Sequence, residues 1–201
     1  MKKSISKLVG MSLAIGALTS GAAHGEDYPY YIDEDSIRTF GPGCSSQDEL
    51  FIDFQDGAAS IIFANLETTA VDAPTYSNCT VLFDVYADRG YKISAPTVEM
   101  GVNYSIDEGG KGIASAKMTT LGESRLADVK DLYGTGSDII ASPVAHSPKY
   151  SKCGGKMTFR VTGRLTAIAP RLGGFATLTM DDANTDYPYS IKCRIKPKPC
   201  H

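Results

Sequence analysis

The sequence of 201 residues contains no tryptophan, only three histidines and no excess of basic side chains. Its 20 lysines and arginines against 23 acids give a net charge of −3, whereas a nucleic-acid-binding protein needs a basic surplus to neutralise phosphates. The missing tryptophan weakens, without excluding, a role in carbohydrate binding. A hydrophobic content of 42% argues against disorder, collagen and a coiled coil, so we expect a globular protein.

The N-terminus has the three parts of a secretory signal. Three lysines precede an apolar run from Leu8 to Leu18, and Ala23 and Gly25 supply the small side chains of a cleavage site. The run is shorter than the roughly 20 residues that a membrane-spanning helix needs. We therefore expect residues 1–25 to be a cleaved signal peptide and the mature chain to begin at Glu26.

The remaining residues, 26–201, fit one domain. Removal of the signal peptide takes away three lysines and no acid, which makes the net charge −6. No second long apolar segment follows, so we expect no transmembrane segment after cleavage and a secreted or periplasmic location. Residues 194–201 are basic and rich in proline, and we interpret them as a short tail that could contact an anionic envelope surface.

Most of the chain alternates apolar and polar residues with a period of two, which is typical of half-buried strands. Turn signals such as Asp56-Gly57 and Gly109-Gly110 separate the strands, and Gly163 marks a bulge or a close backbone approach. The pattern predicts an all-β fold, a single antiparallel β-sandwich of the jelly-roll or Ig-like type. Strands are expected at 49–55, 59–67, 79–87, 98–107, 113–121, 157–167, 175–180 and 187–195.

The segment Gly122–Lys152 interrupts this pattern. We predict one long loop there, in which Leu126, Val129 and Leu132 are spaced to form one short helical face. A connection this long in a compact domain is often functional, although a surface loop without function explains it equally well.

Five cysteines in an exported chain predict disulfides, and the absence of a C-x-x-C pair argues against a zinc site. Cys79 and Cys193 lie on the buried faces of predicted strands. Sequence order suggests the bridges Cys44–Cys79 and Cys153–Cys193, but spacing alone leaves three pairings open. The remaining Cys200 would then be a free thiol, or would form an intermolecular bridge that makes a dimer.

Five short motifs around the cysteines resemble a family of small secreted four-cysteine proteins from fungi and bacteria that is catalogued only as a domain of unknown function. The resemblance extends from about Phe40 to Cys193. The motifs are Gly41-Pro-Gly-Cys44, Tyr76-Ser-Asn-Cys79, Asp88-Arg-Gly-Tyr91, Tyr150-Ser-Lys-Cys153-Gly-Gly and Tyr189-Ser-Ile-Lys-Cys193.

The resemblance implies a β-rich fold in which the first two and the last two of the four cysteines pair. It brings no activity, substrate or catalytic residue. The chain departs from the family at Tyr150 and Tyr189, where the family often has tryptophan, and in its additional Cys200.

We predict no catalytic residue. A serine-histidine-acid triad needs an imidazole, and His146 lies in a proline-flanked segment without a nucleophile motif. Carboxylates are plentiful, so a hydrolase that uses a pair of acids is a second hypothesis. An inhibitor of an exported protease, with the segment Gly122–Lys152 inserted into the enzyme's cleft, is a third.

No cofactor is predicted, and one segment weakly resembles a metal site. Asp182, Asn184 and Asp186 repeat the first half of a calcium loop, in which alternate oxygen-bearing side chains converge on one cation. Tyr187 replaces the glycine that such a loop needs next, so ordinary turn structure is the alternative.

Two similar segments, Asp27-Tyr-Pro-Tyr-Tyr-Ile32 and Asp186-Tyr-Pro-Tyr-Ser-Ile191, concentrate tyrosines. They could be edge segments in which proline blocks further strand addition. They could also bind an envelope polymer or an exported protein, since tyrosine offers flat contact area and a hydroxyl. The candidate contact surface contains Tyr28, Tyr30, Tyr31, Tyr187, Tyr189 and His146. Our primary hypothesis is an exported non-catalytic binding or structural module.

Overall fold

The computed structural model describes residues 28–44, 50–55, 57–63, 66–127, 129–180 and 190–201. The predicted signal peptide lies outside these residues. Every regular element in the described ranges is a β-strand. In chain order the strands are β1 (Tyr30–Phe40), β2 (Leu50–Gln55), β3 (Ala58–Phe63), β4 (Glu67–Ala70), β5 (Thr75–Ala87), β6 (Tyr91–Ile106), β7 (Lys111–Thr120), β8 (Glu123–Leu126), β9 (Lys130–Leu132), β10 (Thr135–Ala141), β11 (Lys156–Ile168), β12 (Ala176–Thr179) and β13 (Ile191–Pro199).

The strands form two antiparallel sheets that pack face to face. Sheet A has the spatial order β1-β5-β11-β7-β8, and β9 also pairs with β7. Sheet B has the order β2-β3-β13-β6-β12-β4, and β10 pairs with β6. The predicted antiparallel β-sandwich is therefore confirmed. The described residues contain no helix long and apolar enough to cross a membrane.

The core lies between the sheets because alternate residues of each strand point inward. On β11 the inward side chains Met157, Phe159, Val161 and Leu165 are fully buried, and the ring of Phe159 stacks on that of Phe83 at 5.0 Å. The polar residues between them on β11 point to the other side of sheet A. One strand thus supplies both the core and an outer surface.

Gly163 on β11 lies where the other sheet approaches closely. Its register with β5 and β7 is regular, so it is not a bulge. A Cβ atom at this position would lie 2.9 Å from both Ile191 Cδ1 and Leu66 Cδ2. The sequence prediction of a close approach at Gly163 is confirmed, since any larger side chain would push the sheets apart.

The segment Gly122–Lys152 is not one long loop, and the predicted helix is wrong. The segment contains β8, β9 and β10, and only Leu132 of the three proposed helical residues is buried. Leu126 pairs with Lys117 of β7, and Val129 is exposed. Backbone pairing with β7 and β6 overrides the weak helical spacing in this segment.

The basic C-terminal residues are also part of the fold rather than a tail. Strand β13 continues to Pro199, and its last residues pair with the start of β6, Lys198 with Lys92 and Pro199 with Tyr91. Proline is accepted here because no ladder hydrogen bond is needed from its nitrogen.

The structure contains two disulfides, Cys44–Cys79 and Cys153–Cys200, and Cys193 is a buried free cysteine. The first pairing agrees with the sequence prediction. The predicted Cys153–Cys193 bridge is wrong, and Cys200 is neither a free thiol nor the site of an intermolecular bridge. The structure therefore gives no support to a dimer formed through Cys200.

The register of β6 explains the second disulfide. The amide of Gly154 donates to the Tyr91 carbonyl at 2.8 Å, and the amide of Cys200 donates to the Gly90 carbonyl at 2.7 Å, so Cys153 and Cys200 meet beside the start of β6. Cys193 lies opposite Val98 of β6, which is seven residues and about 20 Å beyond Tyr91 at the start of that strand. Burial raises the pKa of the Cys193 thiol, which keeps it protonated.

This disulfide connectivity predicts different effects for two cysteine variants. Cys193→Ala should keep both disulfides, whereas Cys200→Ala should lose one and lower the free energy of unfolding by about 3–4 kcal/mol, as expected for a closed loop of this length. Denaturant unfolding and mass spectrometry of a non-reducing digest measure the two effects. A peptide that joins Cys153 to Cys193 in the native chain would contradict the assignment.

Candidate functional site

The outward side of β11 carries alternating cations and threonines. Because successive side chains of a strand point to opposite faces, these residues form a single row on the outside of sheet A. From its first cation, Lys156, to its last, Arg164, the row covers nine residues, or about 26 Å. Its members are Lys156, Thr158, Arg160, Thr162, Arg164 and Thr166.

The neighbouring strands add hydroxyl groups and one further cation to this row. Thr162 pairs with Thr80 of β5 on one side and with Lys117 of β7 on the other, and Arg160 pairs with Thr119. The hydroxyl oxygens of Thr80 and Thr162 are 2.8 Å apart. Cations and hydroxyls from three adjacent strands therefore share one surface.

This surface is a shallow groove of about 430 Å³. Leu126 on β8 and Ser115 on β7 contribute to its lining. We call it the basic groove, and we define it by Lys117, Arg160 and Arg164 together with Thr80, Thr119 and Thr162.

The three cations of the basic groove have no acidic partner in the described part of the chain. No carboxylate lies within 4.0 Å of Lys117, Arg160 or Arg164 there. By contrast, Lys111 on the same strand as Lys117 forms an ion pair with Asp131 at 2.8 Å. The groove thus concentrates uncompensated positive charge on a chain whose net charge is negative.

An aromatic ring positions one of these cations. The guanidinium of Arg164 lies 5.8 Å from the ring centroid of Tyr76 on β5, within the range of a cation–π contact. Arginine presents five N–H donors in a planar fork, which suits bidentate binding of carboxylate, sulfate or phosphate. The contact with Tyr76 restricts the guanidinium without using a carboxylate.

One carboxylate marks the end of the row. Asp84 on β5 pairs with Lys156 at 2.6 Å and accepts a hydrogen bond from the Thr158 hydroxyl. Burial alone would raise the pKa of Asp84, but the bonds from Lys156 and Thr158 outweigh burial and lower it. Lys156 is thereby neutralised, so the uncompensated charge begins at Arg160.

The predicted tyrosine surface is only partly available. Tyr30 is buried at 1% exposure because it pairs with Ala87 and points inward, so it is not a contact residue. Burial, and then the nearby Tyr28, raise the pKa of Tyr30. Tyr28 packs against the Tyr30 ring at 5.5 Å, and Tyr31 stacks on Tyr86 at 5.3 Å. Tyr187 and Tyr189 lie outside the described residues.

The other predicted candidates do not assemble into a site. His146 is exposed, and its side chain makes no hydrogen bond or ion pair with a described residue. The weak calcium candidates Asp182, Asn184 and Asp186 lie outside the described residues. Within the ranges that the structure describes, no group of three or more potential ligands could hold a metal ion.

Among the described residues, three carboxylates have shifted pKa values, and all three values are lowered. Besides Asp84, the pKa of Asp138 is lowered chiefly by the hydrogen bond from Lys130, and that of Glu123 chiefly by the backbone amide of Lys149. A carboxylic acid that acts as a general acid near neutral pH needs a raised pKa. These three carboxylates are therefore structural ion-pair partners.

The sequence analysis did not predict the basic groove, although the sequence contains part of the pattern that forms it. The alternation of lysine, arginine and threonine along 156–166 is legible, and it indicates a polar outer face. What the sequence does not give is the pairing of β11 with β5 and β7, which brings Lys117 beside Thr162.

Comparison with known proteins identifies a family and a set of similar solved structures. The sequence model of a family described as a domain of unknown function (DUF4360) matches residues 32–200. No curated protein matches the sequence.

Two of these solved structures are carbohydrate-binding modules. One is TmCBM61 in complex with β-1,4-galactotriose, with 8% identity, 81% of this chain and 88% of that chain covered, and a TM-score of 0.26. The second is a module from the β-sandwich superfamily, with 9% identity, 83% and 99% covered, and a TM-score of 0.26. The third is a loop-swap mutant of Necallimastix patriciarum Xyn11A, with 10% identity, 71% and 97% covered, and a TM-score of 0.17. At these TM-scores none of the three bears on what this chain binds.

The Asp84 network gives a pH-dependent prediction. Asp84→Asn should lower the free energy of unfolding by about 1 kcal/mol at pH 7, since it removes one charge-assisted interaction at a partly exposed site. Because the pKa of Asp84 is lowered by folding, its contribution is present above the unfolded pKa, about 4, and is lost as the pH falls through the folded value.

Denaturant unfolding between pH 7 and pH 2 tests this sign. The difference in the free energy of unfolding between wild type and Asp84→Asn should shrink toward acid pH. The substitution Asp131→Asn, in an exposed ion pair, should change the free energy of unfolding little at any pH. A difference that grows toward acid would contradict the assigned shift.

Proposed function

The chain belongs to the DUF4360 family, a domain of unknown function, and we propose that it is an exported, non-catalytic module that binds an anionic chain polymer. The binding site is the basic groove on sheet A. The ligand class is a linear polymer with carboxylate or sulfate groups, such as an acidic polysaccharide of an envelope.

The observation that carries this proposal is the set of three cations without acidic partners. Placing Lys117, Arg160 and Arg164 on one face costs mutual repulsion, which an anionic ligand would relieve. At physiological salt the screening length is about 8 Å, so these local cations outweigh the distant acids that make the chain negative overall.

The shape of the groove favours a polymer over a compact ligand. The groove is shallow and runs along β11, with Arg160 and Arg164 four residues, or about 13 Å, apart and Thr162 between them. An extended chain can contact both guanidiniums and the intervening hydroxyls in one pass. Threonine and serine hydroxyls both donate and accept, so they also suit sugar hydroxyl groups.

The placement of aromatic rings favours an anionic ligand over a neutral sugar, since a neutral sugar would be bound by stacking on such rings. None of the described residues that line the basic groove is aromatic, and the ring of Tyr76 beside it holds the guanidinium of Arg164. Charge-assisted hydrogen bonds would supply the affinity that stacking supplies elsewhere.

Export of the protein is part of the same proposal. The signal pattern in residues 1–25 and the two disulfides both fit an oxidising compartment outside the cytoplasm. An anionic polymer of a cell envelope or of the medium would be accessible there.

Affinity for three dextrans tests the ligand class and the site together. The wild type should bind dextran sulfate or carboxymethyl-dextran but not neutral dextran, and more weakly at high salt. Arg160→Gln with Arg164→Gln should weaken binding by at least about tenfold, since two charge-assisted hydrogen bonds are lost. Isothermal titration calorimetry gives the affinities.

The matched control is Lys130→Gln with Arg38→Gln, which removes the same charge from outside the groove. It should change the affinity by less than about threefold, the effect of long-range charge at moderate salt. Equal losses of affinity in the two double variants would mean that the polymer is attracted non-specifically, and would overturn the assignment of the basic groove as the binding site. Binding of neutral dextran with the same affinity would overturn the ligand class.

A further inference from the structure

A second group of uncompensated cations lies away from the basic groove, where β6 begins and β13 ends. Lys92 and Lys198 are paired residues in the antiparallel register of these strands. Their ammonium nitrogens lie 5.4 and 5.8 Å from the ring centroid of Tyr150. We call Lys92, Lys198 and Tyr150 the lysine–tyrosine cluster.

The pairing of two lysines is unfavourable by itself. Like charges placed directly opposite each other on a sheet are destabilising, and Cβ atoms of paired residues are only about 5 Å apart. No carboxylate within the described ranges lies within 4.0 Å of Lys92 or Lys198. The Tyr150 ring offsets part of the repulsion through cation–π contacts but carries no charge.

The fold holds this arrangement in place. The Cys153–Cys200 disulfide joins the end of β13 to the segment that carries Tyr150. The amide of Ser151 donates to the Ile93 carbonyl at 2.8 Å, and the Ile93 amide donates to the Ser151 hydroxyl at 3.1 Å. The lysines therefore emerge from a covalently fixed backbone and not from a loose terminus.

A cleft of about 600 Å³ adjoins the cluster and has Tyr150 in its wall. Lys149 and Lys152 also line the cleft, and no described carboxylate lies within 4.0 Å of either ammonium group. The nearby Glu123 is engaged, because it pairs with Arg125 at 2.6 Å and accepts the Lys149 backbone amide at 3.2 Å.

The apolar part of the same cleft is supplied by Leu121. Leu121 is the only described non-glycine residue with a positive φ, 48°, and it remains 41% exposed at the tip of the β7–β8 hairpin. A branched side chain rarely adopts this conformation. An exposed leucine in a strained turn beside lysines makes the cleft suitable for the organic part of a charged ligand.

From these contacts we propose that the lysine–tyrosine cluster binds a phosphate group, and that the adjoining cleft accepts the organic part of a phosphate monoester. A phosphate dianion offers several acceptor oxygens and a charge that matches two ammonium groups, which a single carboxylate does not. The lysine–tyrosine cluster and the basic groove share no side chain, although Lys156 of β11, which is paired with Asp84, also lines the cleft beside the cluster.

Titration with inorganic phosphate and with glucose 6-phosphate tests the proposal and separates its two sources. At constant ionic strength set with chloride, both should bind wild type, and both should lose about tenfold or more in affinity in Lys92→Gln and Lys198→Gln, since each loses a charge-assisted hydrogen bond. Tighter binding of glucose 6-phosphate than of inorganic phosphate would support the proposal that the cleft accepts the organic part of the ligand. Equal binding of the two would overturn that part of the proposal.

Two controls keep the result interpretable. Lys130→Gln and the double variant Arg160→Gln with Arg164→Gln should both bind phosphate as wild type does, so a failure of the polymer proposal is distinguishable from a failure here. In wild type, phosphate should also shift the Tyr150 ring resonances in NMR spectra. Absence of that shift, or unchanged phosphate affinity in Lys92→Gln and Lys198→Gln, would overturn the proposal.

Discussion

The contact between the two sheets at Gly163 constrains everything that β11 presents to solvent. The absence of a side chain leaves room for Ile191 of β13 and for Leu66, the residue before β4. The ladders with β5 and β7 set the register of β11. A shift of β11 by one residue would move Arg160 and Arg164 into the core and expose Phe159 and Val161. The outer row of cations is therefore set by the same packing that closes the core.

The disulfides fix the chain on both sides of this contact. Cys44–Cys79 ties the end of β1 to β5, which is the neighbour of β11 in sheet A. Cys153–Cys200 ties the entry to β11 to the end of β13 in sheet B. The spacing of Lys117 from Arg160 and Arg164 is set by the ladder of backbone pairs between β7 and β11.

Much of the fold follows from local sequence pattern, because strands that cover a core alternate with a period of two. The long strands β5, β6, β7 and β11 carry that signal over ten or more residues. The short strands β8 and β9 do not, since they contain exposed apolar residues such as Leu126, and only pairing with β7 defines them. The inward direction of Tyr30 likewise depends on its pairing with β5.

The candidate site was less predictable because it depends on contacts between distant residues. Cysteine order favours Cys153–Cys193, but the register of β13 on β6 places Cys200, not Cys193, beside Cys153. In the same way, composition shows an acidic chain, while strand pairing decides which lysines and arginines meet acids and which remain unpaired. Ion pairing is a property of the folded surface that charge counts do not contain.

The most direct test of the polymer-binding account is to map where an anionic chain contacts the protein. Backbone amide NMR spectra recorded during titration with a short dextran sulfate should change most at residues 115–119 on β7 and 160–164 on β11. Sheet B and the Tyr28–Tyr31 segment should change little. Largest changes at Tyr28–Tyr31, or small changes spread evenly over all lysines and arginines, would contradict the assignment of the basic groove as the binding site.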